Sequence, residues 1–114
     1  MKMLAAILET DDPERLYMGL SLLVSTAAAG EKARALVGFG ALTALFDPPP
    51  PTHVIDAERE PFRATLSALR DAALATCDIK ACAAAAQATG VSRLPVISTP
   101  QFLKETAGAR LVFV

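Results

Sequence analysis

Apolar runs and helical stripes take turns along this chain, and their order predicts an α/β domain. Residues 2–8 form an apolar run with no helical stripe, which predicts a short buried strand. Asp12, Pro13 and Glu14 then open a helix. The aspartate fits the N-cap, the proline fits the first turn, and the glutamate complements the positive end of the helix dipole. Leu16, Leu20, Leu23, Val24 and Ala27 fall on one face at spacings of three and four, and Gly30 is placed to cap the end. Residues 33–39 read as a second strand. A strand, a helix and a strand in succession imply a right-handed crossover and parallel pairing.

Residues 41–46 supply one or two further helical turns. Pro48, Pro49, Pro50 and Pro51 then break the pattern with a stiff segment that has no backbone donors. The stretch of residues 47–60 is expected to be a loop, either a lid or an insertion without consequence. Pro61 opens another helix, with Phe62, Leu66, Leu69 and Ala73 as its apolar stripe. An extended piece then ends at Cys82, where an alanine-rich helix begins that stops at Gly90. Residues 91–97, interrupted by Pro95, are at best a loose extended segment. Ser98 or Thr99, with Pro100, starts a last helix, Gly108 ends it, and residues 110–114 form a final apolar strand. The sum is a single three-layer α/β/α sandwich with a mostly parallel sheet of about five strands.

Composition narrows the function. Hydrophobic residues make up 53% of the 114 residues, much of it alanine, so closely packed helices are expected. A net charge of −1 gives no electrostatic footprint for nucleic acid or for an anionic membrane. No apolar run approaches the roughly 20 residues of a membrane span. The first eight residues begin like a secretory signal, but Glu9, Asp11 and Asp12 cut the apolar region short. A cytoplasmic protein with reduced thiols is the expectation.

The candidate chemistry centres on Cys82. A cysteine where a strand hands over to a helix lies at the sheet end where ligands collect in open α/β folds. The helix dipole typically favours an anion there by about 0.3–1 kcal/mol, or roughly 0.2–0.7 pKa unit. That suits a sulfur carrier better than a fast nucleophile, because a persulfide is already more acidic than a thiol. Lys80 and Asp78 lie on the same strand face as Cys82, so Lys80 is a candidate for assisting it and Asp78 for neutralising the lysine. Two charges on one face of a covered strand call for an edge strand or a subunit interface. Tyr17, one turn inside the first helix, is a candidate for lining the same pocket or for simple packing.

Other chemistry is disfavoured. Cys77 and Cys82 are separated by roughly 16 Å if the strand between them is extended at about 3.3 Å per residue, and a disulfide needs Cα atoms within about 7 Å. His53 is the sole histidine, and with two cysteines it lacks zinc spacing, so no metal and no cofactor are expected. Gly38 and Gly40 lack the third glycine of a dinucleotide fingerprint and read as a tight turn. There is no Ser-His-Asp set and no carboxylate pair at a persuasive spacing.

With these residues in place, the sequence resembles the DsrE/TusD-like sulfur-relay family. Three stretches carry the likeness: the opening strand followed by Asp11-Asp12-Pro13-Glu14-Arg15 and a helix ending at Gly30; Cys82-Ala83-Ala84-Ala85 with Gly90-Val91; and the ending from Phe102-Leu103-Lys104-Glu105 to Leu111-Val112-Phe113. The resemblance implies a doubly wound α/β domain that assembles into trimers or hexamers. It also implies a persulfide carried on Cys82, taken from a sulfur-donor protein and passed to an acceptor. Transferase members often place arginine just before the glycine that ends this helix; here those positions are Ala88 and Thr89. The alternative is an oligomeric binding or scaffold module of the same fold with Cys82 incidental, and a redox sensor at Cys82 is a third reading.

Overall fold

Among the described residues ten elements follow the alternation read from the pattern: β1 (Met3–Leu8), α1 (Pro13–Ala28), β2 (Lys32–Val37), α2 (Phe39–Phe46), α3 (Glu60–Thr76), β3 (Asp78–Cys82), α4 (Ala83–Thr89), β4 (Val96–Ile97), α5 (Thr99–Glu105) and β5 (Arg110–Phe113). The structure is a computed structural model that describes residues 2–48 and 60–114. Most of the expected proline-rich loop, with His53, lies outside the described residues.

Local chemistry sets the helix ends. The Asp12 carboxylate accepts from the Arg15 amide at 3.3 Å and Pro13 fills the first turn of α1. Ser98, rather than Thr99, caps α5, accepting from the Gln101 amide at 3.2 Å. Gly90 ends α4 with φ of +75°, a conformation that a Cβ would oppose. The second strand ends two residues earlier than expected, and Phe39 opens α2. The cause is at Gly38, whose carbonyl accepts from Leu42 at 2.8 Å and so starts the helix at once. Gly40 is required by close approach, since a Cβ there would stand 2.9 Å from the Glu9 carbonyl oxygen. Gly40 thus has a steric reason, whereas a Cβ at Gly38 would find only ordinary contacts of 3.6 Å or more, and the tight-turn reading of the pair holds.

The five strands form one sheet, all parallel, in the order β4-β3-β2-β1-β5. The first three crossovers step steadily in one direction. The last returns across the sheet to the far side of β1. Because such crossovers are right-handed, that reversal sends α5 to the opposite face from α1, α2, α3 and α4.

The two faces are unequal. On the first, Leu16, Leu20 and Leu23 of α1, Leu42 and Leu45 of α2, Leu66 of α3 and Ala85 of α4 close over the sheet. On the sheet side of this core Ala6, Ala33, Ala35 and Ala81 are interspersed with the larger Leu4, Leu8, Val37 and Ile79, all of them buried. On the second face, α5 is the sole covering helix among the described residues. Phe102 inserts against Ala5, Leu36 and Ile97, and it is 1% exposed.

Candidate functional site

Cys82 is the last residue of β3 and the N-cap of α4, with φ −60° and ψ 128°, so the strand-to-helix placement read from the sequence holds. Its register partner is Ile97 of β4. From these adjacent strand ends the chain departs to opposite faces, into α4 on the first and α5 on the second. Two neighbouring parallel strands whose connections diverge in this way open a crevice at their carboxyl ends, the usual ligand position in open α/β sheets. Cys82 stands on one lip of that crevice and Thr99 on the other.

The sulfur is half-buried, and the Thr99 hydroxyl lies 4.0 Å from it. Ser98 is already committed to the helix cap, which leaves the neighbouring hydroxyl of Thr99 to face the thiol. Sequence reasoning missed Thr99 as a site residue. The signal was the Ser98-Thr99-Pro100 helix start, but only the β3–β4 register places it beside Cys82.

Lys80 shares the sheet face of Cys82, but its ammonium is directed elsewhere. It sits 3.9 Å from a Glu105 carboxylate oxygen at the end of α5. Arg34 of β2 organises this cluster. It donates from Nε to Asp78 at 2.9 Å and from its terminal nitrogens to the side chain and main-chain carbonyl of Glu105. Gln101 donates to the other Glu105 oxygen at 2.8 Å. The Arg34 hydrogen bond, then the Gln101 one, holds the Glu105 carboxyl below its usual range, and the Glu105 hydrogen bond raises Arg34 in turn. Asp78 therefore neutralises Arg34 instead of Lys80. The expected edge is met in part: β4 pairs only with Ala81 and Cys82, which leaves β3 without a strand neighbour on that side at Asp78 and Lys80, and α5 brings the counter-charge. This cluster lines an open cleft of about 590 Å³ that does not include Cys82.

Tyr17 is half-buried between α1 and α3. Its ring centroid lies 5.8 Å from that of Phe62 at an angle of 41°. The contact is tilted aromatic packing on the first face, and the structure does not bring Tyr17 to Cys82.

Cys77 sits at the opposite end of β3. Its thiol lies 3.5 Å from the Leu23 carbonyl oxygen and from the Thr76 hydroxyl. Burial pushes its pKa up, offset in part by Thr76. Both cysteines are free. The first arginine after α4, Arg93, lies over the Phe46 ring at 5.4 Å, as does Arg70. Among the described residues no group of histidine, cysteine and carboxylate side chains is arranged to hold a metal ion. No helix there is long and apolar enough to cross a membrane.

An all-parallel five-stranded sheet with helices on both faces and a cysteine at its switch point defines an α/β domain of the doubly wound class. Among solved structures it is similar to the crystal structure of the YchN protein from E. coli, with a TM-score of 0.66 over 99% of this chain and 98% of that one. Sequence identity between them is 16%, so the likeness is one of fold. No family model matches the chain, and no curated protein matches it.

Proposed function

We propose that the protein is a cytoplasmic sulfur-relay protein that carries persulfide sulfur on Cys82. The observation that supports this reading is the position of the thiol: half-open to solvent, at the crevice between β3 and β4, with the Thr99 hydroxyl opposite it. The sequence resemblance to the DsrE/TusD-like family points the same way, and a doubly wound fold is what that resemblance implies.

The chemistry is a transfer without net oxidation. The Cys82 thiolate attacks the outer sulfur of a donor protein's persulfide. A new Sγ–S bond forms as the donor's S–S bond breaks, and the donor leaves as a thiolate. An acceptor thiolate repeats the step on the Cys82 persulfide. Residues of this chain supply position rather than acid–base catalysis. Cys82 caps α4 without a side-chain hydrogen bond to its first amides, so the helix offers only its dipole, and the Thr99 hydroxyl, 4.0 Å away, is within reach to donate to a sulfur anion. Lys80, held by Glu105, contributes to the charge of the α5 face rather than to the sulfur directly.

Incubation of the reduced protein with a cysteine desulfurase and cysteine, followed by intact-mass measurement, tests the proposal. The expected result is a gain of one sulfur atom that is lost in Cys82→Ser and kept in Cys77→Ser. Absence of an adduct on Cys82 would overturn it. The reading left in that event is a scaffold module of the same fold with the cysteine incidental.

A further inference from the structure

The two edges of the sheet are built differently. The β4 edge is two residues long and follows Pro95, which blunts it against further pairing. The β5 edge has none of these devices across Leu111, Val112 and Phe113. It carries no proline and no charge there. Its backbone polarity can be assigned. The Val114 amide donates inward to the Ile7 carbonyl at 2.8 Å, and the Val114 carbonyl accepts from Glu9 and Thr10. Alternation then turns Val112 inward as well and leaves the N–H and C=O groups of Leu111 and Phe113 pointing away from the sheet. Those groups require a strand, not merely an apolar cover.

Apolar side chains stand open on both sides of this edge. Leu111 and Phe113 lie on the α5 face, level with Ala5 and Ile7, and are 46% and 67% exposed. On the other face Met18 and Leu22 of α1 are 62% and 44% exposed and, with Phe113 and Val114, form the apolar part of a groove of about 950 Å³ whose other part carries Glu9, Asp12, Glu14 and Arg15. Gly19 lies between them, and a Cβ there would be 3.2 Å from Val114, so α1 rests directly on the strand.

We propose that β5 pairs antiparallel with β5 of a second copy about a twofold axis through Val112, joining two sheets into one of ten strands. The occupant is a second copy because the edge is complementary to itself. In this register Leu111 stands opposite Phe113 of the other chain in both directions. Each pair exchanges two backbone hydrogen bonds, and no charged residue of the strand meets its like. The twofold keeps each face with its counterpart, so Met18 and Leu22 meet the same residues of the other chain. Strand pairing alone falls short of the roughly 1,200 Å² of a stable interface, and these α1 residues supply the additional apolar contact. The inference rests on the backbone and the exposed apolar residues, not on the chemistry of Cys82.

Sedimentation velocity over a concentration series, with residue-resolved amide exchange, tests it. The wild-type protein is expected to associate through a dimer, with the Leu111 and Phe113 amides protected in the associated form. Leu111→Pro removes an outward N–H and leaves the inward ladder to β1 intact. It is expected to weaken association by roughly tenfold or more, since the symmetric pair loses two hydrogen bonds. Phe113→Lys, at an exposed position, is expected to do the same and serves as the second variant should the proline perturb folding. A wild-type protein that stays monomeric up to its solubility limit overturns the proposal. So does association undiminished in both variants, or rapid exchange of those two amides in the associated form.

Discussion

The two faces of the sheet divide the labour of the molecule. The first is sealed by helices over an aliphatic core rich in leucine and alanine, and the Cys77 thiol at its margin is pinned to a carbonyl. The second carries a single short helix, an ion cluster, the reactive candidate Cys82 and the open end of β5. Chemistry and contact thus gather where the covering is thin. The lesson is that the crossover reversal at β4 fixes this asymmetry, because it commits just one helix to the second face.

Perturbations of each face sharpen the contrast. Phe102→Ala removes the main apolar anchor of α5 and is expected to cost about 3–5 kcal/mol in chemical denaturation. It is also expected to speed alkylation of Cys82, because the Thr99 end of α5 loosens with it. Leu20→Ala, buried on the first face, is expected to cost about 2–5 kcal/mol with no change in Cys82 alkylation. If both variants changed alkylation equally, the faces would not be independent.

Smaller effects come from titration. The Glu105 carboxyl is depressed in the folded state, so the stability it brings is complete above the ordinary carboxylate range and is lost as pH falls through the depressed value. Glu105→Gln is expected to remove this part of the acid dependence, measured as denaturation midpoints along a pH series. Cys77 behaves oppositely. Its raised pKa gives stability that is complete below the ordinary thiol range and declines as pH rises through it. Cys77→Ser is expected to flatten the alkaline limb, and iodoacetamide is expected to label Cys82 before Cys77 at neutral pH.

Much of this was legible in the sequence where the signal is local. Asp12-Pro13, the alanine-rich run after Cys82 and Gly90 each fix an element end through neighbouring backbone. The alternation of elements gave the parallel sheet. What was not legible depends on partners distant in the chain. Lys80 finds Glu105 only because α5 crosses the second face. Tyr17 meets Phe62 because α1 and α3 lie side by side. Gly40 shows its reason only against the Glu9 carbonyl, and the position of β3 between β2 and a β4 that reaches only its last two residues has no short-range signature.

The four alanines on the sheet side of the first face have a consequence for how this protein tolerates change. Ala6, Ala33, Ala35 and Ala81 are buried among Leu4, Leu8, Val37 and Ile79, where the larger neighbours already fill the space beneath the helices. A valine or leucine at any of these four positions is expected to overpack the layer, at a typical cost of about 1–3 kcal/mol. At these positions the molecule is more vulnerable to enlargement than to loss.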